Sequence, residues 1–493
     1  MEDYWKHCNW EILAEPIEIL EPFDFENYYE KYKTPLEWIS SIKIKRNKQY
    51  KISAIARGFT PLSARGFTLL PFDQQKEGEV GKLIEYVSIK GTKGSSTVEL
   101  NPCYVESPEQ QHNLLKDTTK NKASITTYKI KKYNNNDKIS KKVLKEWYIN
   151  APHSPRYLVD NACEEIKNVR ICKKGNIEDR YERDGGGFYH TIHLKYEHFE
   201  FIITPIKDHF EPTWSKKISI EYREDLGGIP DENIREAIAE FFGFLIGKKV
   251  SLIGHTYYDD KGSTIEAMAC NPNIFNIHNE CSKPEIDLIP MKCAEDGKIF
   301  KKIFEELLPE YIKIRTKFSI REALMKYWFS QTIPRDEALP ILSSGLEMIM
   351  KAWFKTKSPT GAIYMPQDIY DEKMSPIIKT ILEIFKENQH KEKIKNKLMY
   401  NVNQMGVNER FFVFFDEIGL SYGDVEKKAI KERHSFAHGD LFQKEEINDL
   451  IKNDAAYSIL FGKVILQLLG YKGKYIDRTV LGFPEKEMQE KMG

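Results

Sequence analysis

The stretch Lys431-Glu432-Arg433-His434-Ser435-Phe436-Ala437-His438-Gly439 decides how the C-terminal part of this chain is read. Upstream of it, Val425 and Ala429 continue at helical spacing into Phe436 and Ala437, which predicts an amphipathic helix from Gly423 to Ala437. Arg433 lies four residues after Ala429 and three before Phe436, so the spacing puts it on or beside the buried face. An arginine at the edge of a bundle seam is held, whereas a fully exposed one samples many rotamers. His438 falls at the helix end, where Gly439 suits the left-handed cap conformation and the helix terminus favours a protonated ring.

Working outward, the helical period holds from about residue 296 to the end of the chain. Ile299, Phe300, Ile303, Phe304, Leu307 and Leu308 form one apolar stripe, which Pro309 is expected to stop. Further helices are predicted over Ile320–Phe329, Leu339–Phe354, Met374–Glu387 and Lys444–Leu469. The last is long, with Ile447, Leu450, Ile451, Ile459, Leu460, Val464 and Leu468 facing inward and Gly470 ending it. Several helices of this length joined by short connections make a bundle.

Before residue 290 the pattern is different. Short runs of β-branched and aromatic residues alternate with Gly, Asn, Asp and Pro clusters, as in Tyr50–Ile55, Ser124–Lys131, Phe188–Lys195, Phe199–Thr204, Ile218–Tyr222 and Val250–Tyr258. One helix interrupts them: Pro230-Asp231-Glu232 opens it, Ile234, Ile238, Phe241, Phe242 and Leu245 recur along it, and Gly247 closes it. Its apolar second half predicts burial against a sheet. The lysine-rich stretch from Lys116 to Lys142 reads as a charged, solvated loop, with an exposed hairpin or a subdomain join as the alternative. A tandem echo, Ala56-Arg57-Gly58-Phe59-Thr60 and then Ala64-Arg65-Gly66-Phe67-Thr68, is too short for a solenoid repeat. It fits two similar strand edges or a turn pair, with Arg-Gly contacts to phosphate as the sharper alternative. The fold class expected is therefore α+β: a β-rich region over 1–290, of one or two subdomains, and an α-helical domain over 291–493.

Bulk properties narrow the function classes. Of 493 residues, 41% are hydrophobic and 30% charged, which is ordinary for a globular protein, and the length calls for two or three domains. Lys plus Arg and Asp plus Glu both number 74, so any attraction for nucleic acid has to come from a local patch. No run approaches the roughly 18 to 20 apolar residues of a membrane span. The start, Met-Glu-Asp-Tyr-Trp-Lys-His, lacks the basic and apolar segments of a signal peptide. Seven scattered cysteines without a CxxC pair fit reduced thiols, so a cytoplasmic location without membrane association is expected. No P-loop, nucleophile elbow or dinucleotide fingerprint is visible; Gly185-Gly186-Gly187 reads as a flexible turn, and no cofactor is expected.

Arginine and histidine together suit the cleavage of RNA by its own 2′-OH. That reaction needs a base for the 2′-OH, an acid for the departing 5′-oxygen and positive charge beside the phosphorus. Histidine titrates in the right range for proton transfer, and the guanidinium fork matches phosphate oxygens. One Arg and one His are too few for the whole task. A symmetric pair of chains would supply two of each.

Arg433, four intervening residues and then His438-Gly439, placed before the final long helix, resemble the Arg-x(4–6)-His motif of the HEPN superfamily. The context is similar to the ApeA-like branch, found in anti-phage defence proteins with a β-rich N-terminal domain. Leu339–Phe354, with Glu347, resembles the first core helix of that domain. The resemblance implies a metal-independent endoribonuclease whose two HEPN domains form one cleft, leaving a 2′,3′-cyclic phosphate and a 5′-OH. By position, Arg433 would stabilise the phosphate and His438 would transfer protons. Many members have a polar residue, often Asn, directly after the Arg; this chain has His434, which adds a proton donor or keeps a hydrogen bond. Implied partners are cellular RNA such as tRNA or rRNA, a second copy in a homodimer or higher oligomer, and a phage-derived trigger acting on the N-terminal region.

Other readings stand beside this one. Arg433 and His438 fit a plain solvated helix end. His434 and His438 are four apart and could share a metal, but Ser435 occupies the place where a zinc protease carries its glutamate, so no metal site is assigned. Cys270, His278, Cys281 and Cys293 lack a tight zinc knuckle. Phe411-Phe412-Val413-Phe414-Phe415 reads as core or a subunit interface, and Lys391, Lys393, Lys395 and Lys397 as a solvated helix end. A second hypothesis for the whole is a non-catalytic HEPN bundle that dimerises or binds RNA, with a ligand- or protein-sensing N-terminal domain.

Overall fold

Strict alternation of inward apolar and outward polar residues is what builds the N-terminal sheet. Along Ile52–Pro61, Ile52, Ala54 and Ala56 are buried while Arg57 and Phe59 are exposed. The computed structural model describes residues 12–13, 16–26, 38–47, 49–61, 87–105, 109–113, 118–134, 140–151, 169–174, 177–182, 192–206, 216–260, 262–273, 288–290, 297–357, 362–433 and 447–488. The first eight strands are β1 (Ile17–Glu26), β2 (Ile39–Arg46), β3 (Ile52–Pro61), β4 (Val87–Lys93), β5 (Ser96–Val105), β6 (Glu109–Asn113), β7 (Thr118–Thr127) and β8 (Lys129–Asn134). The next eight are β9 (Val143–Ala151), β10 (Val169–Lys174), β11 (Ile177–Glu182), β12 (Ile192–Tyr196), β13 (Phe199–Pro205), β14 (Lys216–Arg223), β15 (Ser251–Tyr258) and β16 (Thr264–Cys270).

All of these except the β10–β11 hairpin join one antiparallel sheet in the order β12-β13-β14-β9-β15-β16-β8-β5-β4-β1-β2-β3-β7-β6. An additional pairing of β5 with β7 closes β5-β4-β1-β2-β3-β7 into a barrel. Ile19, Ile42, Ile44, Ile89, Val98, Leu100 and Ile125, each at most 2% exposed, fill it. Burial pushes the Cys103 thiol in the same core up to about 12, so it stays protonated at neutral pH. Gly58 is needed where it stands: a Cβ there would lie 1.6 Å from the Trp38 carbonyl oxygen, and the next amide, Phe59 N–H, donates to that oxygen at 3.1 Å. Within the Lys116–Lys142 stretch, expected to be a solvated loop, the described residues 118–134 form strands instead. They hold β7 and β8 with Tyr128 between them, because Ala123, Ile125 and Ile130 alternate with the lysines and supply the barrel's apolar face.

The helices lie mostly in the second unit. They are α1 (Glu232–Leu245), α2 (Gly297–Ile314), α3 (Ile320–Ser330), α4 (Arg335–Lys357), α5 (Gln367–Ile384), α6 (Lys391–Asn396), α7 (Val407–Glu417), α8 (Asp424–Glu432) and α9 (Ile447–Leu468), followed by a small hairpin of β17 (Lys474–Ile476) and β18 (Glu485–Glu487). The chain is thus α+β, with a strand-rich N-terminal region and a helical C-terminal one. Residues 233–248 belong to the helical unit although they lie within the strand-rich stretch of sequence. The aromatic half of α1 is deeply buried, as expected, and Phe241 packs its ring 5.3 Å from Phe304 and 4.8 Å from Tyr311, both on α2. Glu240 of α1 accepts from Arg315 Nε at 2.9 Å and from the Tyr311 hydroxyl at 3.1 Å.

Pro309 does not stop its helix, since α2 runs on to Ile314. An internal proline forfeits one backbone hydrogen bond, but continuing buries Tyr311 and Ile314 almost completely. The bundle closes around α4, which packs on α3, α7 and α9. Tyr327 stacks on Phe461 at 4.9 Å, and Gly345 lets α4 approach α3, where an added Cβ would sit 3.2 Å from the Ala323 carbonyl oxygen. The run Phe411–Phe415 lies on α7 and contributes Phe411, Phe414 and Phe415 to the core. No helix among the described residues is long and apolar enough to cross a membrane.

Candidate active site

Helix α8 is short and polar, and its position is fixed from both ends. At its start the Gly423 N–H donates to Glu426 Oε2 at 2.9 Å, satisfying one of the open donors of the first turn, where Asp424 and Glu426 also face the positive end of the helix dipole. Along its length, ion pairs and hydrogen bonds tie it to α9: Glu426 to Lys463 at 3.3 Å, Lys428 to Asp449 at 3.0 Å, and Glu432 accepting from Asn453 Nδ2 at 2.9 Å. Ala429 and Ile430 are fully buried, whereas Val425, expected on the inner face, is 43% exposed.

Arg433 is the residue that caps α8, and it is 4% exposed. Its guanidinium carbon lies 5.2 Å from the centre of the Phe411 ring on α7, within cation–π range. Burial lowers its pKa; Tyr457 on α9 and Glu347 on α4 oppose that shift, and the like charge of Arg410 on α7 adds to it. An arginine keeps its charge through such a shift. Burial raises the Tyr457 phenol to about 12, and its hydroxyl sits 3.5 Å from Ser343 Oγ of α4. Glu347 pairs with Lys351 one turn on, at 2.8 Å. Four helices therefore meet around one buried cation, with a carboxylate and a second guanidinium close by. Such a setting can hold an anion whose oxygens are shared between arginines, as a phosphodiester's are.

Of the residues singled out in the sequence, Arg433 and Glu347 come together here. His434 and His438 lie outside the described residues, as do His278, Cys281 and Cys293. Arg410 and Tyr457 were not picked out. Arg410 is masked in the sequence by the aromatic run it precedes, and Tyr457 by the apolar stripe of the last helix. Its relation to Asn453, one turn earlier on the same face, was the available signal. A separate cavity of about 490 Å³ opens at the other end of α8, beside Tyr422, Lys463, Tyr475 and Met488. Lys463 there is already held by the Ser421 carbonyl at 2.9 Å and by Glu426, so the cavity's buried cation serves the packing of α8.

Residues 344–472 match the family model described as Apea-like HEPN. That span begins within α4, holds Glu347, Arg410, Arg433 and Tyr457, and ends just after α9. This part of the chain is an Apea-like HEPN domain, and such a domain suggests a defence nuclease of the ribonuclease type. No curated protein and no solved structure matches the chain.

Proposed function

We propose that this protein is a metal-independent endoribonuclease acting in anti-phage defence. The observation that carries the reading is the buried Arg433, held at the end of α8 inside the span that matches Apea-like HEPN, five residues before His438. In the proposed reaction the 2′-oxygen attacks the adjacent phosphorus and the bond from phosphorus to the 5′-oxygen breaks. A proton leaves the 2′-OH for a base, and another reaches the 5′-oxygen from an acid. The products are a 2′,3′-cyclic phosphate and a 5′-OH, with no change in oxidation state and no cofactor.

Arg433 would meet the charge that builds on the non-bridging oxygens, and His438 would move the protons, with His434 beside it as a further donor. A single imidazole cannot start as base and acid at once. Two protomers facing each other in a homodimer or higher oligomer would bring one of each form to the same phosphate. Cellular RNA, tRNA or rRNA among it, is the proposed substrate in the cytoplasm, and the strand-rich region is the proposed place for a phage-derived trigger to act.

One observation favours a second reading, a HEPN bundle that dimerises or binds RNA without cutting it: Arg433 packs on Phe411 as a structural cation can. Purified protein incubated with total RNA and EDTA separates the two. Cleavage that persists in EDTA, yields 5′-OH ends and disappears in His438→Ala at unchanged dimer mass is the expected result. Intact RNA under every trigger tested, or cleavage that EDTA abolishes, would overturn the proposal.

A further inference from the structure

The outward face of the barrel carries charge that the chain as a whole does not. Strand alternation turns Ser41, Lys43 and Lys45 of β2 outward, with Ser53, Ile55, Arg57 and Phe59 of β3 and Lys120, Lys122 and Ser124 of β7. The register makes these one surface. Lys43 faces Ile55, Arg57 faces both Ser41 and Lys122, and Phe59 faces Lys120. Directly opposed residues on neighbouring strands stand about 5 Å apart at Cβ, and Arg57 and Phe59 are about 7 Å apart along β3.

Three features of this face point to a ligand. Its described outward positions on β2, β3 and β7 include five cations and no carboxylate, in a chain whose 74 basic and 74 acidic residues cancel. At its two rims the register pairs Glu18 of β1 with Lys43 and Glu109 of β6 with Lys122. Lys122 already has a partner, so contacts to a ligand fall to Lys43, Lys45, Arg57 and Lys120. Phe59 is 59% exposed in the middle of them, and its position is enforced from below by the contact of Gly58 with Trp38. A single exposed aromatic is ordinary on a protein surface. An aromatic ring flanked on its own strand by Arg57 and across the ladder by Lys120 is the arrangement that stacks a base while cations take the adjoining phosphates.

We infer that the outer face of β2, β3 and β7 binds single-stranded nucleic acid, with Phe59 as the stacking platform and Arg57, Lys120, Lys43 and Lys45 as phosphate contacts. A duplex hides its bases from a ring on a convex sheet, so the single strand is the form that fits. The inference is independent of any cleavage at Arg433. It gives a part to the first copy of the Ala-Arg-Gly-Phe-Thr echo; the second copy lies outside the described residues.

The test is fluorescence anisotropy on the full chain with a labelled oligothymidylate, an oligouridylate of the same length and a duplex. The thymidylate has no 2′-OH, so cleavage by 2′-oxygen attack cannot consume it. Both single strands should bind more tightly than the duplex. Phe59→Ala should weaken binding about tenfold with little change in salt dependence, and Phe59→Tyr should restore it. Arg57→Ala combined with Lys120→Ala should flatten the slope of log K against log salt by about 1.4, two phosphates at about 0.7 each. Equal binding by wild type and both variants would overturn the inference. So would tighter binding to anionic vesicles or an acidic peptide than to either oligonucleotide, or binding lost in Arg433→Ala and untouched in Phe59→Ala.

Discussion

Arg433 occupies a position where a positive charge is costly to bury, and the surroundings show how that cost is met. The face of Phe411 lies 5.2 Å away and the field of Glu347 opposes the effect of desolvation. A lysine keeps the charge but not the planar fork or the ring contact. Arg433→Lys is therefore expected to lower the RNA cleavage rate by about 10- to 100-fold, roughly 1.4 to 2.8 kcal/mol of transition-state stabilisation, with dimer mass unchanged. Arg410 supplies the contrasting case. Its charge works against that of Arg433, so removing it relieves repulsion, whereas an RNA phosphate would bring the two guanidinium groups into a common use. Arg410→Ala should leave the melting temperature within about 2 °C of wild type while raising KM for RNA several-fold. A variant that melts far lower at unchanged KM would make Arg410 a structural residue.

At the scale of elements, α1 is the instructive one. Its caps and apolar spacing were legible in the sequence, and Glu232–Leu245 is where they put it. Its neighbour was not legible, because a stripe of phenylalanines fits a sheet or a helix equally well. What decides the matter is the polar clamp: Arg315, 3% exposed, reaches Glu240 at 2.9 Å and the Asn233 carbonyl at 3.0 Å. Deleting one partner leaves the other charge buried. Glu240→Ala should destabilise the helical unit by about 3 to 5 kcal/mol in denaturant melts, and far more than Glu310→Ala, whose partner Lys313 is exposed. The long sheet offers a similar lesson in Glu266 of β16. The His255 imidazole 3.8 Å away, then the ammonium groups of Lys141 at 2.7 Å and Lys131 at 3.3 Å, hold its carboxyl at about 2 against an ordinary 4.5. A depressed carboxyl stabilises the fold above pH 4.5, and that contribution drains away as the pH falls towards 2. Acid titration of amide exchange in β8, β15 and β16 should show protection falling over this window, and Glu266→Gln should abolish the dependence there.

For the whole molecule, the division into a strand-rich and a helical region could be read directly, because side-chain periods of two and of 3.6 are local properties of the chain. The same local chemistry put Arg433 at the inner edge of its helix and Glu347 on an earlier one, since spacing along a helix fixes which face a residue occupies. Other features required long-range pairing. The barrel depends on β5 meeting β7 as well as β4 and β8, a matter of strand tilt and register that no single strand encodes. Arg57, Phe59 and Lys120 form one basic and aromatic surface only because β3 pairs with β7 in that register; a slip of one residue would have turned the lysine inward. The charges of Arg410 and Glu347 and the phenol of Tyr457 act on Arg433 from three other helices, at separations where sequence spacing carries no information about proximity. Sequence alone thus determined which elements form and, for most residues, which face they occupy, because backbone geometry fixes that within a few residues; Val425 and Ile451, expected inside, are exposed. Tertiary structure alone decided which faces meet, because that choice follows from packing and from the cost of leaving buried charges without partners.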